Sequence, residues 1–364
     1  MATPSSPHPF KLAIRFTKAS EVAMNRWTVR PDGSNWGDFG DDDKLGRMNL
    51  LTPERRLRAV SEVKEGLAFS LSLPLDYPGG SGVSHGLRHP PKLFASRRGD
   101  TESYHIELGR NFPGCCDLSC DDGVTLYTQY STQWDSLAHW GQIFDVHGDG
   151  APQKVYYNGY RAGLDLLGPD QEGGPHGGPL GLDHMAATGV QGRGVLVNLQ
   201  AAYGEDRILV GYDDLMRAME AQSVEVRAGD FLLLYSGFDD VLLNMNKRPD
   251  MSVLHRYGAA LNGSDPRLLD WITAAGVVAL CSDTPAVEGL EALTAPRPAG
   301  SRLSMLPLHE HCLFKLGIHL GELWFLRDLA RWLGEHKRNA FLLTAPPLRL
   351  PGAVGSPVTP VATV

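Results

Sequence analysis

From residue 190 onward, short apolar runs alternate with stretches of helical periodicity, and this rhythm confines the chain to an α/β architecture. Strands are expected at 194–199, 230–236, 277–281 and 340–344, where aliphatic and aromatic residues run together. Helical spacing falls between and around them, at 212–222, 268–275, 308–316 and 322–333. Apolar strands interleaved with helices make a sheet covered by helical layers. An earlier strand is expected at Phe69-Ser70-Leu71-Ser72-Leu73, which alternates apolar and polar with period two. Before it, Thr52-Pro53-Glu54 reads as an N-cap followed by Pro in the first turn. The helix it opens carries Leu57, Val60 and Val63 on one face and stops at Gly66.

A chain of 364 residues can bury a large core, and no repeat, low-complexity tract or linker divides it. It parses as a flexible leader over residues 1–30 and one domain over 31–364. Residues 78–100 are rich in Gly, Pro and His and read as a long loop bordering a site. Residues 125–139 read as a strand running into a loop, and 140–182 as irregular excursions. A net charge of -8 leaves no nucleic-acid footprint, and no run approaches the roughly 18 apolar residues of a membrane helix. No basic region followed by an apolar run marks a secretory signal, so a cytoplasmic location is expected. The five cysteines cannot all pair with one another, and adjacent Cys115 and Cys116 suit one metal ion poorly. They read as ordinary thiols in a reducing compartment.

The run from Gln129 to His139 carries the chemistry. Gln129, Gln133, Asp135 and His139 are spaced by four, two and four residues. This run resembles the H-x-G-T-H-x-D-x-P-x-H signature of the cyclase family, the hydrolases that include kynurenine formamidase and isatin hydrolase. Further blocks resemble the family in order: Gly192 to Asn198, Gly229 to Gly237, Asp283 to Glu288, and Ala345 to Val358. The resemblance implies a swivelling β/β/α cyclase-like fold and a homodimer or higher homo-oligomer. It also implies that the family's two His ligands and Asp bind a divalent metal while the last His moves protons. Here Asp135 and His139 stand where the family has them, but Gln129 and Gln133 replace both ligand imidazoles.

That departure decides the expectations. An amide oxygen is a neutral, hard donor, better suited to manganese than to zinc, so zinc is expected to be absent or loosely held. The alternative is that both amides hydrogen-bond substrate or a fixed water. The resemblance implies a second metal position completed by a His and a Glu near the C-terminus. Asp135, His309 and Glu322 are the candidate ligands, with His311 an alternative register for the histidine. A competing reading makes Glu322 the first residue of a helix, where a carboxylate suits the dipole. His139 and Asp135 are the candidate catalytic pair. Gln129, Gln133, Tyr130, Thr132, Trp134 and Trp140 are the candidate substrate contacts, although aromatics also commonly fill cores.

The function these residues point to is a hydrolase opening an amide, lactam or lactone bond of a small metabolite, with an aromatic body in one reading. Two alternatives stay open: a metal-independent cyclase or isomerase of a secondary-metabolite substrate, and a non-catalytic small-molecule binder on the same fold. The expected partner in each case is a small molecule, with no nucleic acid and no membrane.

Overall fold

The computed structural model describes residues 25–293 and 303–364. Its centre is a nine-stranded sheet built from β1 (Ala68–Ser70), β2 (Gln133–Asp135), β3 (Gln191–Asn198), β4 (Phe231–Tyr235), β5 (Ala279–Ser282), β6 (His319–Glu322), β7 (Ala340–Thr344), β8 (Gly355–Pro357) and β9 (Val361–Thr363). The spatial order is β1-β9-β7-β3-β4-β5-β6-β2-β8. The central four strands, β3 to β6, run parallel. Their outer neighbours pair antiparallel. β4 and β5 are buried at every position, as continuous apolar runs covered on both faces must be. Along β4 the core divides by alternation: Leu232 and Leu234 join one cluster, Phe231, Leu233 and Tyr235 the other.

The strands expected after residue 190 are present, as are the helices expected at 212–222 and 268–275. Helix Pro266–Ala275 shows why: Asp265 accepts from the Arg267 amide as N-cap, Pro266 fills the first turn, and Gly276 ends the helix at φ 69°. Helix Tyr212–Ala221 packs on the same face, while Arg327–Glu335 packs on the other. The helix expected at 308–316 is one α-turn, Pro307–His309, running into a π-helix, Glu310–Leu316. It is braced by a backbone-to-backbone contact, because a Cβ on Gly46 would lie 2.1 Å from the Gly317 carbonyl oxygen.

Several expectations are corrected. The helix expected over 322–333 begins at Arg327, and Glu322 ends β6 instead. The carboxylate of Asp239 accepts from the Leu326 and Arg327 amides and so caps the helix from outside. Helix Pro53–Val60 is capped by Thr52 as expected but stops at Val60. Its Leu57 is 72% exposed and its Val60 49%, whereas Ala59 is fully buried. The small Ala59 lets the helix lie against β3, so the larger residues turn outward. Within the expected 78–100 loop, Lys92–Ala95 forms a ribbon with Asp122–Thr125. Of the expected 1–30 leader, residues 1–24 lie outside the described residues. Thr28 and Val29 bond the Val146 carbonyl, so the packed body already includes them. All five cysteines are free thiols, and among the described residues no helix is long and apolar enough to cross a membrane.

One hydroxyl ties the site strand into this frame. Thr132 is fully buried; its Oγ1 accepts from the Leu73 amide at 2.9 Å and donates to the Leu323 carbonyl. Thr132→Val keeps the shape and removes both bonds, leaving buried groups unpaired. Urea unfolding should show a loss of about 1–3 kcal/mol; a variant as stable as wild type would mean the hydroxyl does not brace the strand.

Candidate active site

β2 lies between β6 and β8, and its pairing with β6 sets Gln133 opposite Glu322. Directly opposed residues of an antiparallel pair share a face, and alternation puts Asp135 on that face too. Trp134 points the other way. It packs on Trp324 with centroids 5.0 Å apart and donates to the Ala345 carbonyl. Two turns with non-glycine residues at positive φ deliver the remaining acids: Val287 (φ 32°) precedes Glu288, and Leu323 (φ 54°) follows Glu322. Such backbone is costly for a β-branched residue and is found where the surrounding structure enforces it.

The polar centre is an unbroken chain of contacts. Gln129 Nε2 donates to Asp135 Oδ1 at 2.5 Å and also meets His139 Nδ1 at 3.2 Å. Gln133 Nε2 donates to Glu322 Oε2 at 2.7 Å and reaches Asp135 Oδ1 at 3.3 Å. Since carboxylate oxygens only accept, each amide must turn its nitrogen toward them. Gln129 thus uses its two hydrogens on Asp135 and His139, which leaves the imidazole proton on Nε2. That Nε2 stands 3.9 Å from Asp135 Oδ2, an oxygen with no hydrogen-bond partner. The far end of the chain is His309. Its Nδ1 contacts Glu288 Oε1 at 2.8 Å and its Nε2 faces Glu322 Oε1 at 3.4 Å. Glu288 is held in turn by the Leu308 and His309 amides.

Electrostatics separate the two imidazoles. Burial lowers the His139 pKa, only partly opposed by Asp135, so the ring stays neutral near pH 7. Burial also disfavours the His309 cation, but its N–H groups are met by the Glu288 and Glu322 carboxylates, which outweigh burial and raise its pKa to about 10. Burial, reinforced by the charge of Asp135, pushes Glu322 upward. His319 donates Nδ1–H to the Asp135 carbonyl and is kept neutral by burial.

The structure brings together Gln129, Gln133, Asp135, His139, His309 and Glu322. His311 faces away and meets Thr273 Oγ1 at 2.9 Å, so the histidine register is His309. Trp140 stands beside both imidazoles, with ring centroids 6.2 Å from His139 and 5.4 Å from His309. Tyr130 donates to the Gly80 carbonyl and lines a small cavity of about 40 Å³ with Arg88, Gln129 and Gln133. Thr132 and Trp134 lie in the interior, engaged as described above, rather than in that cavity. Phe144 packs edge-on against Trp36 and Phe314. Glu288 and Arg88 carry no role in the sequence reading. Glu288 had a signal, as the last residue of the Asp283-to-Glu288 turn; Arg88, which donates to the Gln129 carbonyl, had only its place in the Gly-rich loop.

The donor set discriminates between metal positions. Gln129 and Gln133 turn nitrogen, not oxygen, toward Asp135, which does not fit zinc held by them. The other position fits one divalent ion better. Ligand atoms of Asp135, His139 and His309 lie within 4.8 Å of one another; buried Asp135 Oδ2 has no hydrogen-bond partner, and Glu322 Oε1 faces only His309 Nε2 at 3.4 Å. Asp135 and His309 are common to this group and to the set expected from sequence; the third ligand is His139 or Glu322.

The chain belongs to the cyclase family, whose model matches residues 69–289, more than half its length. Among solved structures it is similar to a novel cyclase, 28% identical with a TM-score of 0.68, over 91% of this chain and 97% of that one. It shares its fold with an isatin hydrolase bound to the product analogue thioisatinate (13% identity, TM-score 0.52, 86% and 99% coverage). The same holds for isatin hydrolase A from Labrenzia aggregata bound to benzyl benzoate (14% identity, TM-score 0.51, 84% and 95% coverage). No curated protein matches the sequence. Family and fold together support an enzyme of the cyclase or hydrolase type.

Calorimetry separates the two ligand sets. Mn²⁺ added to chelator-treated protein should bind at one site, with binding abolished in His309→Ala and Glu322→Gln but kept in His139→Ala. Elemental analysis should find no stoichiometric zinc after dialysis against chelator. Retained zinc, or Mn²⁺ binding lost only with His139, would reverse the assignment.

Proposed function

We propose that this chain is a hydrolase opening an amide, lactam or lactone bond of a small metabolite, with His139 as the acid–base group. One observation carries the reading: a 3.9 Å gap between His139 Nε2 and the unpartnered Asp135 Oδ2. The gap exceeds a direct hydrogen bond. The two groups differ in kind, since the Gln129 contact makes Nε2 a donor while Oδ2 can only accept.

Those polarities suggest the order of events. Water oxygen bonds to the carbonyl carbon while Asp135 Oδ2 takes its proton. The carbon–nitrogen or carbon–oxygen bond then breaks as the leaving atom receives the Nε2 proton from the imidazolium form of His139, which becomes a neutral ring. Proton return from Asp135 to His139 restores the carboxylate–imidazolium pair, so atoms and charges balance. Burial lowers the His139 pKa, which makes that cation a minor species at pH 7 but a stronger acid. Gln129 positions both partners, and Arg88 fixes the Gln129 backbone. Were a divalent ion held by Asp135, His309 and Glu322, Asp135 Oδ2 would be its ligand rather than the base, and the ion would supply Lewis-acid polarisation in its place.

Removing a positioned acid–base group costs roughly 10²–10⁴-fold in rate. His139→Ala should lose about that much in kcat on formamides or lactones while keeping its thermal midpoint. His139→Gln, which hydrogen-bonds but moves no proton near pH 7, should be almost as poor. An alanine variant within a few-fold of wild type would remove His139 from the chemistry. Absence of turnover by wild type across amides, lactams and lactones would favour a binder on this fold.

A further inference from the structure

Beside the polar centre lies a second, larger chamber of about 290 Å³. Its walls are mostly apolar: Val83, Phe238, Met251, Leu254, Pro285 and Ala286. Two observations join it to the candidate site. Val83 and Pro285 also line the small cavity that holds Gln129 and Gln133, so the two spaces share a wall. Glu288, part of the chamber lining, is the carboxylate that grips His309. The turn that carries Pro285, Ala286 and Glu288 passes through the strained Val287, so chamber shape and His309 placement are set by one piece of backbone.

We infer that this chamber holds the apolar body of the substrate, and that the body is neutral and aryl-sized; this rests on the hydrolase reading above. Pockets that bury a small ligand are lined mostly by hydrophobic side chains with few polar groups, and this one fits that description. The charges argue against an anionic body. Glu288 sets a carboxylate into the lining, and Arg207 at the rim is engaged by Glu291 at 2.8 and 3.3 Å. His85 and His255, also in the lining, are exposed. Ala286 is nearly buried and has the smallest side chain of the apolar wall, so it sets the chamber's depth, while half-buried Met251 packs at the edge of a small core cluster with Phe238 and Leu254.

Two assays separate this inference from the reading on which it rests. The first compares kcat/KM for formanilide, which has a phenyl body, with that for N-methylformamide, which has almost none. Met251→Trp and Ala286→Leu fill the chamber, and a pocket distinguishes single methylenes by about 10–200-fold. Each variant should lower the formanilide to N-methylformamide ratio at least tenfold relative to wild type, with thermal midpoints retained as the check on folding. The second assay needs no turnover: fluorescence titration with 2-naphthol and 2-naphthoate, which share a ring system and differ in charge at neutral pH. The neutral probe should bind more tightly, and Met251→Trp should weaken it at least tenfold. If wild type hydrolyses neither formamide yet the naphthol pattern holds, the chamber assignment stands and the hydrolase reading falls. If hydrolysis occurs but the ratio stays within twofold in both folded variants, or 2-naphthoate binds as well as 2-naphthol, the chamber assignment is overturned.

Discussion

Asp135, Glu288 and Glu322 are all buried around His309, and an unpaired buried carboxylate costs several kcal/mol. The local architecture answers each charge differently. Glu288 takes two backbone amides at the start of the Pro307–His309 turn, together with the His309 imidazole. Asp135 takes side-chain amide hydrogens from Gln129 and Gln133. Glu322 takes one from Gln133 and faces His309. These requirements reach far into the fold. They call for β2 in register with β6, a strained turn at Val287 and an entry into the π-helix that exposes two amides.

The same requirement makes sense of glutamine at positions 129 and 133. A carboxylate needs donors or a cation, and a glutamine amide offers two hydrogens from one nitrogen without adding charge. Gln129 spans Asp135 and His139 with that nitrogen, and Gln133 spans Asp135 and Glu322. Neutral donors stabilise the acids but do not cancel them. Residual negative charge therefore gathers around Asp135 Oδ2, which has no hydrogen-bond partner, and Glu322 Oε1, which faces only His309 Nε2. A proton on His309 or a single cation meets that demand, and the raised His309 pKa is the first of these answers.

How much was legible in the sequence follows from the physics of each element. The central strands announced themselves because strands covered on both faces must be apolar throughout, as Phe231 to Tyr235 are. β6 did not: His319-Leu320-Gly321-Glu322 mixes polar and small residues, because it carries a site acid at its end, and so it read as the approach to a helix. β8 and β9 are three residues each and contain Gly, Pro or Thr, too short for any period to show. In the site, Asp135, His139, His309 and Glu322 were legible through the resemblance, although pairing across nearly two hundred positions brings them together. Thr132 and Trp134 were grouped with the site by proximity in sequence. Strand alternation sends Trp134 to the opposite face, and the Thr132 hydroxyl is consumed by two backbone groups.

What remained illegible was the division of labour between the two spaces. Glu288 belongs to both, facing His309 on one side and lining the apolar chamber on the other. A substrate body in the chamber would press on the backbone that positions His309, so fit in one space bears on geometry in the other. Coupling of this kind needs a stiff connection, and the turn supplies it: Val287 is buried at positive φ, and Thr284 is tied to Ser282 on one side and to the Leu323 amide on the other. Leu323 directly follows Glu322. Both acids flanking His309 therefore hang from one hydrogen-bonded unit.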